Sequence, residues 1–239
     1  MLNSDPIKKN SPSLSFEIVY AGRSRELQIK AVRSGDLSDF EGQIHESANE
    51  YLLVGKPNAA NANAVRMHLP WLKPKPLGLN LSAGVGDRLG LATSGHARAF
   101  TKYGKGILPI FVQQSAREME RLFRTPQEVM DDATFGLIES SWMNKFGSDA
   151  DHLKTIADID TALAAGFTMF TLDPGDSVAV VPPNFDGNLN HLPWGELEDT
   201  QDSMILRYKD KQFNIGEISI SSNRYLAESL KTWADILAY

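Results

Sequence analysis

The chain has 239 residues, of which 42% are hydrophobic and 23% are charged, a balance that allows a sizeable globular core. It contains no cysteine, which excludes disulfides, thiolate catalysis and cysteine-based zinc sites. The formal net charge is −6, and the largest basic cluster (Arg117, Arg121 and Arg124) is interleaved with acids, so it predicts a solvated helix face rather than the concentrated basic surface of a nucleic-acid-binding protein.

Residues 1–70 predict a β-rich region. Apolar residues alternate with polar ones at residues 16–20 and 27–32, which predicts two strands joined by a turn at residues 22–25. Residues 57–64 are rich in Asn and Ala and predict a loop or a frayed helix. Pro70, Pro74 and Pro76 then mark a boundary, because three prolines so close together cannot continue a helix or a central strand.

Short apolar runs alternate with helical segments after this boundary. Strands are predicted at residues 77–81, 107–112 and 167–172, and a further strand is expected just before Asp149, although residues 142–148 are not clearly strand-like. One helix is predicted from the capping box that starts at Thr125, and another after Thr155, closed by Gly166. Strand and helix in repeated alternation imply a parallel α/β sheet.

The last part of the chain predicts an insertion at residues 177–221. Its hairpin is expected to pair residues 204–208 with residues 213–220, and residues 223–239 predict an amphipathic helix. No stretch of about 18 apolar residues predicts a membrane span. The N-terminus has no secretory signal, so we expect a cytoplasmic protein.

Polar residues at strand ends are the candidates for chemistry, because parallel α/β proteins place functional groups there. Asp149, Asp151, His152 and Lys154 are the densest group. Asp and His side chains can bind a divalent metal, and Asp or Lys can move protons next to a carbonyl. A polar loop with a helix N-terminus explains the same residues, and the pattern alone leaves both interpretations open.

A second candidate group is Asp87-Arg88, which follows Gly84 and Gly86. The planar guanidinium of Arg88 suits a carboxylate, and the glycines allow close approach of the backbone. The spacing of the glycines does not match a dinucleotide-binding fingerprint, since an acid and an arginine follow Gly86 directly.

Three further strand-end residues could bind a sugar. Gln113 and Gln114 can hydrogen-bond to hydroxyl groups, although glutamine is also a common polar ending to a strand. Asp173 stands beside a Pro-Gly pair, for which turn formation is a sufficient explanation.

Four motifs in the same order resemble those of one known family. They are Gly86-Asp87-Arg88-Leu89-Gly90-Leu91-Ala92-Thr93 with Gly95-His96; Pro109 with Gln113-Gln114-Ser115, Arg117-Glu118 and Arg124-Thr125; Asp149-x-Asp151-His152-Leu153-Lys154-Thr155; and Gly166-Phe167-Thr168-Met169 with Thr171-Leu172-Asp173. The family is the tagaturonate/fructuronate epimerases, and the similarity covers residues 77–176.

The resemblance implies a metal-dependent enzyme on a TIM-like barrel that interconverts two keto-uronates by inverting one hydroxyl-bearing carbon. It suggests Asp149, Asp151 or Lys154 as the proton-moving group, and His152 with Asp151 as ligands of a divalent metal. The expected substrate-binding residues share a strand-end position: Asp87, Arg88, Gln113, Gln114 and Asp173. Proton transfer and retro-aldol cleavage are both open as mechanisms.

Members of this family are considerably longer, and the chain departs from them at Ser94, where they usually have Pro, and at Ala150, where they usually have Gly. We therefore expect an α/β fold that forms the first half of a (β/α)8 barrel. Residues 1–70 would be the β-rich region, and residues 71–239 the half barrel with its insertion at 177–221. An open half barrel exposes sheet edges and apolar core, which predicts a homodimer or a missing second half.

Two alternatives to the epimerase stay open: a non-catalytic or degenerate half barrel that binds a sugar acid or a partner chain, and a metal-dependent aldolase. The epimerase reading predicts that Asp87, Gln114, Asp151 and Asp173 lie at one end of one parallel sheet. It also predicts that His152 lies within reach of an ion shared with Asp149 or Asp151.

Overall fold

The structure, a computed structural model, describes residues 7–8, 14–47, 49–173, 194–196, 200–208, 210–215 and 217–221. The contacts within the chain divide it into two compact units. The described residues of 1–153 and 157–171 form the first unit, and those of 154–156 and 172–239 form the second. The predicted domain boundary near residue 70 falls inside the first unit.

An antiparallel sheet of five strands opens the first unit, in the order β1-β2-β3-β5-β4. Its strands are β1 (Ile7–Lys8), β2 (Leu14–Ala21), β3 (Ser24–Ala31), β4 (Gln43–Ser47) and β5 (Glu50–Gly55). Side chains at alternate positions of β2 are buried: Leu14, Phe16 and Ile18. Gly22, with φ +66°, forms the turn to β3. The two predicted strands are therefore confirmed, and the turn between them is shorter than predicted, because Ser24 and Arg25 already pair in β3.

The segment after this sheet is a regular helix, α1 (Ala59–His68), so the prediction of a loop or frayed helix was wrong. Asn58 caps the helix by accepting a hydrogen bond from the Asn61 N–H at 2.9 Å. The prolines follow as predicted, and only a short 3-10 turn (Pro70–Leu72) forms among them.

A second sheet has the strand order β6-β7-β8-β9, with β6–β7 and β7–β8 paired in parallel. The strands are β6 (Ser82–Gly84), β7 (Leu108–Ser115), β8 (Gly147–Leu153) and β9 (Met169–Leu172). The helices between them are α2 (Thr93–Tyr103), α3 (Ala116–Arg121), α4 (Pro126–Glu139) and α5 (Ile156–Ala164). The fold is thus mixed α/β, with a curled parallel half-barrel sheet and an antiparallel sheet.

Two strand predictions need correction. Residues 77–81 are not a strand, because Gly78 takes a left-handed φ of +58° and the Asn80 N–H bonds back to the Leu77 carbonyl in a turn. The strand before Asp149 in fact contains it, since β8 runs on to Leu153.

Helix α4 joins the two sheets, because it packs against both β2 and β7. Its predicted capping box is confirmed: Thr125 accepts from the Glu128 N–H, and Glu128 accepts from the Thr125 N–H at 2.7 Å. On β7, Phe111 is fully buried and meets the rings of Phe100 and Trp142 edge to face.

The second unit contains a 3-10 turn (Trp194–Glu196), helix α6 (Gln201–Tyr208) and a hairpin of β10 (Gln212–Ile215) and β11 (Ile218–Ser221). The prediction of a strand at residues 204–208 was wrong, because these residues complete α6. The hairpin lies entirely within residues 212–221. The predicted helix at 223–239 lies outside the described residues. None of the described helices is long and apolar enough to cross a membrane.

Candidate functional site

The C-terminal ends of β7 and β8 bring several of the predicted site residues to one edge of the parallel sheet. Gln113 pairs in register with Asp149, and Ser115 pairs with Asp151. The loop after β6 joins the same edge, because the Asp87 N–H donates to the Gln113 carbonyl at 3.1 Å. The predicted common placement therefore holds for Asp87, Gln114 and Asp151.

Asp149 is the most enclosed carboxylate at this edge, with 3% of its surface exposed. Gln113 Nε2 donates to its Oδ2 at 3.2 Å, and Thr171 Oγ1 donates to its Oδ1 at 2.8 Å. Burial raises the pKa of Asp149, and the nearby charge of Asp151 adds to the rise, whereas the two donors oppose it. The result is an oriented carboxyl that holds a proton more readily than an exposed aspartate does.

Asp151 and His152 lie together at the end of β8. His152 Nε2 is 3.7 Å from Asp151 Oδ2, and the His152 side chain is 51% exposed. His152 has a left-handed φ of +58°, which a β-strand residue rarely adopts and which turns the chain out of regular strand geometry.

The predicted metal needs a complete ligand set, and the described residues alone do not supply one. No group of three His, Asp or Glu side chains within the described ranges is placed to hold an ion. Asp151 and His152 could contribute two ligands of the four that a zinc-like ion commonly takes.

Asp87 organises the loop between β6 and α2. Its Oδ1 accepts from the N–H groups of Leu89, Gly90 and Leu91, and its Oδ2 accepts from those of Ala92 and Thr93. Burial would raise the pKa of Asp87, but these backbone donors outweigh it and lower the pKa. Both oxygens are thus engaged in holding the loop, and substrate binding by Asp87 stays a prediction.

Arg88 is carried at the surface by this loop. Its side chain is 77% exposed, and its Nε lies 2.6 Å from Glu118 Oε1 at the start of α3. Its backbone carbonyl accepts from Gln114 Nε2 at 2.9 Å. The loop and the neighbouring strand therefore fix the backbone of Arg88, while its guanidinium stays accessible.

Gln113 and Gln114 point to opposite faces of β7. Gln113 reaches Asp149, whereas Gln114 is buried and accepts from Arg124 Nη1 at 2.9 Å. Gln114 is therefore enclosed by protein groups rather than turned toward the carboxylate, and its predicted contact with substrate stays untested.

The sequence did not predict a cluster of charged side chains that contacts Gln114. Arg124 Nη2 contacts Asp132 Oδ2 at 2.5 Å, and Arg25 Nη2 contacts Asp132 Oδ1 at 3.0 Å. The prediction that Arg124 belongs to a solvated helix face was wrong, since its side chain is only 13% exposed. Burial raises the pKa of Asp132, and the two guanidiniums oppose that rise. Thr171 was missed as well, although it stands two residues before Asp173 on a predicted strand.

Lys154 and Asp173 belong to the second unit. Lys154 directly follows β8, and Asp173 directly follows β9. Their predicted roles, proton transfer and substrate binding, stay predictions.

Comparisons with known proteins identify the family of this arrangement. The family model described as tagaturonate epimerase matches residues 7–239. The tagaturonate/fructuronate epimerase of Thermotoga maritima is 40% identical over 239 residues, which cover 97% of this chain and 47% of the relative. The chain therefore spans about half the length of the curated relative that it matches.

The chain is also similar in structure to a solved fructuronate-tagaturonate epimerase. The native crystal structure of the fructuronate-tagaturonate epimerase of Cohnella laeviribosi superposes with a TM-score of 0.75 at 25% identity, covering 95% of this chain and 46% of that one. Its complex with one glycerol gives a TM-score of 0.71, at 25% identity over 95% of this chain and 45% of that one. On the match to nearly its whole length, the chain belongs to the tagaturonate epimerase family.

Proposed function

We propose that the protein containing this chain interconverts tagaturonate and fructuronate. The proposal is supported by family membership and by the names of relatives in two organisms. It includes the half-(β/α)8 interpretation of the parallel sheet and a cytoplasmic location. Since the relatives are about twice as long, the second wall of the site would come from a further half barrel or from a second copy of the chain.

The observation that carries the proposal is the buried carboxylate of Asp149. Two side-chain donors, one on each oxygen, fix the plane of this carboxylate. Its raised pKa moves it toward the range in which a base accepts and returns protons efficiently at physiological pH. Inversion at a hydroxyl-bearing carbon needs such a group, whether it takes a proton from carbon or from a hydroxyl before retro-aldol cleavage.

Asp151 is the second carboxylate on the same face of β8, because side chains alternate along a strand. Its charge is felt by Asp149 and raises the pKa of that carboxyl. Two coupled carboxylates of unequal environment suit a reaction in which one group takes a proton and another returns it. We assign Asp149 the first role and Asp151 the second, and Lys154 stays a predicted proton-transfer group.

Arg88 is the proposed partner of the uronate carboxylate. Its Nε faces Glu118, so the two Nη groups form the fork that would bind the substrate carboxylate in parallel. Gln113 would contact a substrate hydroxyl from the Asp149 face, and Asp173 stays a predicted substrate-binding residue.

A divalent ion is part of this proposal. Asp151 and His152 would hold it together with ligands from outside the described residues, and it would polarise the substrate carbonyl. The ion has its own test: metal content measured on the purified full chain should fall in His152→Ala and stay unchanged in His45→Ala, whose histidine lies on β4 of the antiparallel sheet.

The test of the function is product analysis. The full-length protein that contains this chain is incubated with tagaturonate and with a divalent metal, and fructuronate is measured by chromatography. Asp149→Asn should lower turnover by about 10²- to 10⁴-fold, the contribution of a positioned acid–base group. Asp160→Asn, at an exposed position of α5, should keep full turnover.

Other outcomes select the alternatives. Cleavage products without fructuronate would identify an aldolase. Binding of the keto-uronate without any turnover would identify a non-catalytic sugar-acid binder. Full turnover in Asp149→Asn would remove Asp149 from the mechanism.

Arg88→Lys tests the substrate class. Lysine keeps the charge but not the fork, so catalytic efficiency on the uronate should fall by about 1.5–3 kcal/mol, the worth of a charge-assisted hydrogen bond. Efficiency on an uncharged ketose should change much less. An equal loss on both substrates would contradict the carboxylate role of Arg88.

A further inference from the structure

A line of polar contacts runs from the antiparallel sheet to the loop that carries Arg88. It begins at Arg25 on β3, whose guanidinium binds Asp132 on α4, and Asp132 in turn binds Arg124. Arg124 donates to Gln114 Oε1, and Gln114 Nε2 donates to the carbonyl of Arg88. Residues more than 100 positions apart in sequence (Arg25 and Asp132, separated by 107) are thereby joined to one backbone atom of the candidate site.

The direction of these hydrogen bonds is set by charge. A primary amide can be turned so that its oxygen and nitrogen exchange places, and only one of these orientations gives the Arg88 carbonyl a donor. Arg124 can only donate, so it requires Gln114 Oε1 on its side and thereby directs Gln114 Nε2 to Arg88. Asp132 in turn binds Arg124, and the same carboxylate also binds the guanidinium of Arg25.

The loop also rests directly on the acid. Gly90 has φ +72°, and a Cβ at this position would collide with the Asp132 carboxylate and approach Arg124. Gly90 is one of the residues whose N–H binds Asp87. Asp132 therefore supports the loop by direct packing as well as through Arg124 and Gln114.

We propose that Asp132 is a positioning residue: with Arg25 and Arg124 it holds the loop of residues 87–93 in the conformation that presents Arg88 to the substrate carboxylate. The kinetic part of this inference rests on the proposed function, because it takes the substrate to be a uronate. The conformational part does not. The antiparallel sheet then has a role in substrate binding, through Arg25.

The first measurement is hydrogen exchange of the full chain without substrate. Asp132→Asn should speed exchange at the backbone N–H groups of residues 89–93. The asparagine side chain has one acceptor oxygen in place of two, so one of the two guanidiniums loses its acceptor. Asp131→Asn is the matched control, since Asp131 is the adjacent residue on α4 and forms an ion pair with Arg66 at 2.8 Å, away from the loop. Removing one partner of such a buried pair is strongly destabilising, so a milder change on α4 is the second control: Glu139→Gln removes a charge but keeps a side-chain oxygen that can accept from the Tyr20 hydroxyl.

The second measurement is steady-state kinetics on the uronate. Loss of a contact that holds substrate and transition state equally raises KM and leaves kcat unchanged, whereas partial unfolding lowers kcat and leaves KM unchanged. Asp132→Asn should raise KM by about twofold to thirtyfold, the range of mutations that act through coupled contacts. In a protein that already carries Arg88→Lys, Asp132→Asn should raise KM by less than a further twofold, because both changes act on the same interaction.

The outcomes separate the two proposals. If the wild-type protein does not epimerise the uronate, the proposed function fails, and exchange at residues 89–93 still decides the positioning role. Equal exchange at residues 89–93 in Asp132→Asn and in Glu139→Gln would overturn the positioning role, whereas Asp131→Asn shows how a general loss of stability changes exchange. A fall in kcat at constant KM, or full additivity with Arg88→Lys, would overturn it as well.

Discussion

Replacing Asp87 by Asn should destabilise the protein strongly, although the two side chains have the same shape. The carboxylate accepts from five backbone N–H groups, three on Oδ1 and two on Oδ2. The NH₂ group of asparagine cannot accept, so whichever side it occupies leaves at least two N–H groups without an acceptor. Hydrogen bonds to a charged group contribute about 1.5–3 kcal/mol, and unsatisfied donors cost about 1–3 kcal/mol. We therefore expect a loss of about 2–4 kcal/mol at neutral pH.

The loss of stability in Asp87→Asn should also depend on pH in a definite direction. The pKa of Asp87 is lowered in the folded state, so its ionised form stabilises the fold above the unfolded-state pKa of about 3.9. This stabilisation is lost as pH falls from that value through the lower folded-state pKa. The difference in the free energy of unfolding between the wild type and Asp87→Asn should therefore become smaller as the pH falls below about 4.

The assay is denaturant unfolding of the full chain at several pH values. Asp36→Asn is the control, because Asp36 pairs with the exposed Arg33, and a surface pair contributes about 0–1 kcal/mol. A loss below 1 kcal/mol in Asp87→Asn, or a difference that widens on acidification, would refute the view that Asp87 anchors the loop.

Three further predictions follow from single contacts. Thr171→Val removes a donor that lowers the pKa of Asp149, so the acid limb of the pH–rate profile should move to higher pH; an unmoved limb would exclude Asp149 as the titrating base. Gly90→Ala should cost more free energy of unfolding than Gly78→Ala: both have a left-handed φ, which costs about 1–2 kcal/mol, but only at Gly90 would the added Cβ meet Asp132. Thr125→Ala should cost about 1 kcal/mol, the typical worth of an N-cap, and equal stability by thermal unfolding would contradict the capping box.

The elements that sequence predicted well are those determined by local chemistry. The capping box at Thr125 and the turn at Gly22 each depend on residues that are close in sequence. The errors occur where one short pattern fits two structures. Residues 204–208 are mostly apolar, which fits a strand, but they complete a helix, and residues 77–81 are apolar enough for a strand until Gly78 turns the chain.

The charge cluster around Asp132 could not be predicted in this way. Nothing near Arg124 indicates that its partner is Asp132 rather than solvent, and Arg25 lies on β3, 107 positions from Asp132 in sequence. Such contacts are decided by tertiary packing, which brings α4 against β2 and β7. The basic residues interleaved with acids therefore correctly predicted a helix, α3. They predicted exposure to solvent for Arg124, which was wrong.

Gln113 and Gln114 carry the clearest lesson about the site, because a single rule separates them. Both were assigned to substrate as one polar strand ending, yet successive side chains of a strand point to opposite faces. Since Asp149 and Gln113 are paired in parallel register, their side chains share a face and meet at 3.2 Å. Gln114 must then face the other way, where Arg124 and the Arg88 carbonyl take up its oxygen and its nitrogen. Once the register is known, the same motif divides into one residue beside the proposed chemistry and one residue that supports the loop from behind.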